Sequence, residues 1–107
     1  MKIYGIKNCD SVKKALKFLT ESNTDFEFID FRKNPIDEKK LQEFIDKVGL
    51  EKLINKRSTT YRNLSDFDKQ NISIAFILEN ITLIKRPVIE LKDKTEVGFN
   101  FITSLTC

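Results

Sequence analysis

A chain of 107 residues with 40% hydrophobic and 33% charged side chains can bury one ordinary core, and its three Gly and two Pro exclude disordered and collagen-like classes. The net charge of +3, from 19 basic against 16 acidic residues spread along the chain, suits small anions and lacks the dense basic face of a nucleic-acid binder. With no histidine and two cysteines, Cys–His dyads, Ser–His–Asp triads, histidine-ligated zinc and four-cysteine sites are all excluded, so no metal is expected.

Residues 2–6 predict a short apolar strand, and 10–22 a helix whose Val12, Ala15, Leu16 and Leu19 recur at the spacing of one buried face. Asp10 or Ser11 can cap that helix. Cys9 falls between the two elements, at a helix N-terminus where unpaired N–H groups and the positive dipole end favour an anion. A thiol so placed is pushed toward thiolate, the form that attacks electrophiles. Lys7, Lys13 and Lys14 add positive charge nearby, and backbone donors from Asn8 to Val12, Ser11 among them, can cradle a bound anion.

Phe26–Phe31 reads as a second strand. Strand, helix and strand in this order imply a parallel pair with a right-handed crossover. Asn34-Pro35 punctuates the next junction. Asp37 then caps a helix carrying Leu41, Phe44, Ile45 and Val48, and Gly49 stops it in the left-handed position. One further helical turn is expected over 50–55, then a polar loop over 56–62 and a single helical stretch over about 66–80. Val88–Leu91 and Thr95–Phe99 form an antiparallel hairpin across Lys92-Asp93-Lys94. A short closing helix is expected over 100–106, and the nine Phe are expected to supply most of the core's bulk.

Charge in this chain is carried mainly by lysine, which makes the four arginines conspicuous. Arginine presents a planar fork of donors suited to carboxylates and oxyanions. Arg86 stands immediately before Pro87, which holds its backbone extended, and Arg57 sits in a hydroxyl-rich loop. Arg32 and Arg62 read as solvated surface charge.

Four separated blocks in the same order, Tyr4–Ala15, Asp30–Lys33, Asn55–Arg62 and Ile84–Pro87, closely resemble the arsenate reductase-like branch of the thioredoxin superfamily, which also holds the Spx and YffB types. The resemblance runs from residue 2 to about residue 99 and is nearest to the YffB type. It implies an α/β fold: one domain over 1–107, with a thioredoxin-like mixed sheet flanked by helices and a helical insertion at about 32–80. It also implies that Cys9 is the nucleophile, that Arg57 and Arg86 hold an oxyanion or carboxylate, and that Pro87 is the cis-proline facing the cysteine.

Two departures separate this chain from its resemblance group. Arsenate reductases of the family carry a further arginine after the last strand, where this chain has Phe99-Asn100. Spx-type redox switches have a second cysteine three residues after the first, where this chain has Val12, so no internal disulfide can close there. Cys107 is the remaining thiol.

The function expected from these features is a glutathione-dependent thiol reductase. It uses one nucleophilic cysteine, takes glutathione as cosubstrate and binds no cofactor. The alternatives are an Spx-like regulator that binds RNA polymerase, or a true arsenate reductase. Strand-like sequence directly after Met1, without a leader pattern or a membrane-length apolar run, leads to an expected cytoplasmic location, as a monomer without direct nucleic-acid or membrane contact.

Overall fold

A computed structural model describes residues 1–98 of the chain. The chain divides into two compact units. One comprises residues 1–35 and, among the described residues, 86–98, and the other is the inserted Ile36–Lys85. The insertion therefore lies slightly C-terminal to the expected 32–80.

The first unit is built on a four-stranded mixed sheet. Strand β1 spans Lys2–Gly5, helix α1 Asp10–Glu21, β2 Glu27–Asp30, β3 Val88–Glu90 and β4 Thr95–Val97. The spatial order is β2-β1-β3-β4. β1 and β2 run parallel, with Ile3 opposite Phe28, as the crossover through α1 requires. β3 runs antiparallel to β1, with Tyr4 opposite Val88, and the β3–β4 hairpin sets Val88 against Val97.

Successive strand residues face opposite sides of the sheet. Ile3 and Ile89 pack with Ala15 and Leu19 of α1 in a fully buried cluster, with Leu16, Phe18, Phe26 and Phe28 partly buried around it. Tyr4, facing the other way, stacks on Phe31 with ring centroids 6.1 Å apart, and its hydroxyl donates to Glu90 Oε1 at 3.3 Å. The expectation of a phenylalanine-dominated core is corrected. Of the seven phenylalanines among the described residues only Phe31 and Phe44 are buried, and Ile, Leu and Val fill most of the interior. Phe67 is 73% exposed.

In the inserted unit, α2 spans Glu38–Val48, α3 Leu50–Leu53, α4 Thr59–Arg62, α5 Asp66–Gln70 and α6 Ile74–Glu79, followed by a 3-10 turn at Ile81–Leu83. Asp37 caps α2 as expected, its carboxylate accepting from the Lys40 N–H at 2.8 Å. Leu41, Phe44, Leu53, Ile54, Ile77, Leu83 and Ile84 are its buried apolar residues. Antiparallel backbone contacts, Asn55 N–H to Leu83 O and Lys85 N–H to Leu53 O at 2.7 Å each, fasten its two chain segments together.

Three local expectations are corrected here. Gly49 has φ 90° but ψ 138°, so it leaves the helix in a glycine-favoured conformation that is not left-handed helical. The loop over 56–62 contains a helical turn, because Ser58 Oγ accepts from the Tyr61 N–H at 3.2 Å and opens α4. The stretch 66–80 is two helices. Asn71 ends α5, its side chain donating to Phe67 O, and Ser73 caps α6 by accepting from the Phe76 N–H. Short polar side chains there compete for backbone groups and break the run. The closing helix expected over 100–106, along with Phe99, Asn100 and Cys107, lies outside the described residues.

Candidate active site

β1 ends at Gly5, and the chain turns at once. The Cys9 N–H donates to Ile6 O at 3.0 Å, closing a tight turn with exposed Lys7 and Asn8 at its centre. Cys9 itself is extended, at φ −78° and ψ 129°, while its carbonyl already accepts the first helical bond from the Lys13 N–H at 2.9 Å. Those are the marks of a helix N-cap. The expectation that Asp10 or Ser11 caps α1 is thereby corrected: the cap position is the cysteine's own.

This placement decides what surrounds the sulfur. An N-cap side chain faces the N–H groups two and three residues onward, which here belong to Ser11 and Val12. Sulfur closes no formal cap hydrogen bond, but both N–H groups act on it electrostatically. Partial burial pushes the Cys9 thiol up. The Val12 N–H, the Arg86 guanidinium and the Ser11 N–H outweigh that and hold it below the usual thiol range. The cationic group acting on the thiol is therefore Arg86, while Lys7, Lys13 and Lys14 are exposed.

Arg86 arrives through the sheet. Its peptide bond to Pro87 is cis, Pro87 is buried, and the Pro87 carbonyl accepts from the Gly98 N–H at 2.9 Å. The Arg86 side chain is half-buried. Its Nε and Nη1 are enclosed and have no hydrogen-bond partner among the described residues.

Of the residues singled out from the sequence, Cys9, Ser11 and Arg86 meet around one sulfur. Asn8 shapes the turn before it and Pro87 opens β3. Arg57 belongs to the inserted unit. It is exposed, and its backbone N–H donates to Asn55 Oδ1 at 3.1 Å in the turn that leads into α4. Sequence reasoning placed backbone donors from Asn8 to Val12 around a bound anion, but it did not single out the Val12 N–H as acting on the Cys9 sulfur itself. Its signal was the count of three from Cys9, legible once the cysteine is taken as the cap. Among the described residues, no three Cys, Asp or Glu side chains gather where they could hold a metal, and no helix is long and apolar enough to cross a membrane.

A sequence model of the ArsC family matches residues 4–103. An uncharacterized protein of Haemophilus influenzae is 43% identical over 102 residues, 92% of this chain and 90% of its own. The global transcriptional regulator Spx of Streptococcus agalactiae is 30% identical over 98 residues, 87% of this chain and 72% of its own. Among solved structures, the YFFB (PA3664) protein superposes with a TM-score of 0.85 at 32% identity, covering 99% of this chain and 98% of that one. An arsenate reductase (ArsC) related protein from Brucella melitensis superposes with a TM-score of 0.80 at 37% identity, covering 92% and 85%.

Proposed function

The chain belongs to the ArsC family, and from that premise we propose that it is a glutathione-linked thiol reductase acting through Cys9 alone. The observation that carries this reading is the Cys9 thiol at the α1 N-cap, held below its usual range by the Val12 N–H, the Arg86 guanidinium and the Ser11 N–H. A thiolate is the attacking species in disulfide exchange.

In the proposed cycle the Cys9 thiolate attacks one sulfur of a glutathione mixed disulfide. The S–S bond breaks, the departing thiolate takes a proton from water, and Cys9 is left disulfide-bonded to glutathione. A second glutathione thiolate attacks that bond, releasing oxidised glutathione and restoring the Cys9 thiolate. The part-exposed Arg86 guanidinium beside the thiol is proposed to supply donors for a glutathione carboxylate or a small oxyanion. On the family resemblance alone, Arg57 is proposed as a second cationic contact, and Asn8, Ser11 and Pro87 as further contacts of the bound substrate. Free glutathione in quantity points to the cytoplasm as the place of action.

Arsenate is the less favoured substrate. Its compact charge calls for several converging donors, and loss of one such donor typically costs about 10²–10³ in rate. The chain carries no arginine beyond Arg86. Parallel assays with glutathione recycling test the reading: turnover of a glutathione mixed disulfide is expected to exceed arsenate turnover and to vanish in Cys9→Ser. Arsenate turnover without mixed-disulfide turnover would overturn it.

The likeness to Spx favours a second reading, a regulator that binds RNA polymerase. Silence in both assays, together with binding to purified RNA polymerase, would favour that one.

A further inference from the structure

Gly5 ends β1 four residues before the candidate nucleophile, and nothing in the chemistry of the site uses it. Its backbone does not need glycine's freedom, because its φ is not among the positive values of the chain. Its close neighbour explains it. A Cβ built on Gly5 would stand 2.5 Å from Val12 Cγ2 and 3.3 Å from Val12 Cγ1, where ordinary contact begins near 3.4 Å. Val12 is fully buried in the first turn of α1. Its β-branched side chain holds one strongly preferred rotamer in a helix, so it cannot swing aside. A side chain at position 5 must therefore displace the start of α1.

We propose that Gly5 is a positioning residue: its bare Cα lets Val12 seat against the end of β1, which fixes the Val12 and Ser11 N–H groups on the Cys9 sulfur. The inference rests on the reading of Cys9 as the reactive thiol and adds the device that aims its donors. Val12 serves twice, its side chain as the seat of the helix and its N–H as a dipole acting on the sulfur. Moving it by the roughly 0.9 Å needed to clear a methyl group weakens a charge–dipole contact that falls steeply with distance.

The test is the pH profile of alkylation at Cys9, read peptide by peptide in the intact protein, for wild type, Gly5→Ala and Gly5→Ala/Val12→Ala. Far-ultraviolet circular dichroism checks that each variant folds. Gly5→Ala is expected to shift the profile upward in pH and to slow alkylation at pH 7 on the order of three- to tenfold. The double variant, with the clash removed, is expected to return toward the wild-type profile. Loss of helix position changes the profile, whereas loss of stability alone would leave it in place. A folded Gly5→Ala with the wild-type profile overturns the inference and leaves the reading of Cys9 standing. A wild-type profile centred on the free-thiol value removes both. Should Gly5→Ala not fold, the double variant decides: a wild-type profile supports the inference, and a free-thiol profile in the folded double variant overturns it.

Discussion

The Arg86 guanidinium favours the thiolate of Cys9 and helps hold it below the usual thiol range, although most of the chain separates the two residues. The sheet explains the meeting. β3 runs antiparallel to β1 with Val88 opposite Tyr4, so the residues entering β3 lie beside the residues leaving β1. The turn at Ile6–Cys9 and the Arg86-Pro87 pair thus share one end of the sheet.

A pH dependence follows from that pairing. The Cys9 thiol of wild type should be alkylated with a midpoint below about 8.5, the value of a free thiol. Arg86→Gln removes the charge and should move the midpoint upward, with Val12 and Ser11 still acting. The same lowering implies a stability difference between wild type and Cys9→Ser. A thiolate favoured by the folded state stabilises it fully above the unfolded thiol's value, and that gain is lost as pH falls through the lower folded value. Alkylation rates and urea midpoints across pH 6–10 check both. A wild-type advantage that grows toward acid would contradict the account.

Arg86→Lys keeps the charge yet should bind an S-alkylated glutathione more weakly by roughly 1.5–3 kcal/mol, because lysine cannot offer the parallel donors of a guanidinium. Calorimetric titration of wild type and variant measures it. Equal affinity would return Arg86 to a role in tuning the thiol alone.

Stability of the inserted unit should depend on its apolar interior and its serine caps. Phe44 is fully buried on α2, and Phe44→Ala should cost about 3–5 kcal/mol. Ser73 caps α6, and Ser73→Ala should cost about 1 kcal/mol. Denaturant unfolding gives both values, and a cap variant as damaging as the core variant would contradict this ranking.

Much of this arrangement was legible in the sequence, for identifiable reasons. α1 and α2 carry long amphipathic periodicities that tertiary packing merely completes, with Val12, Ala15 and Leu19 buried on one and Leu41 and Phe44 on the other. The parallel pairing of β1 with β2 followed from the length of the crossover. The break between α5 and α6 was hidden because Ile72, Ile74, Phe76 and Ile77 satisfy either period, while the decision lay with Asn71 and Ser73. The N-cap role of Cys9 was hidden for a chemical reason. Cap preferences are learned from oxygen side chains, so Asp10 and Ser11 attracted the assignment and the sulfur beside them did not. The fit of Val12 against Gly5 is a three-dimensional contact that no local pattern encodes.

The most direct measurement is the mass of the intact protein after incubation with oxidised glutathione at pH 7, followed by peptide mapping. A reactive thiolate at Cys9 predicts one glutathione, located at Cys9, in wild type and in Cys107→Ser, and none at that position in Cys9→Ser. A protein that stays unmodified, or that takes glutathione only at Cys107, would contradict the claim that the α1 N-cap and Arg86 make Cys9 the working nucleophile.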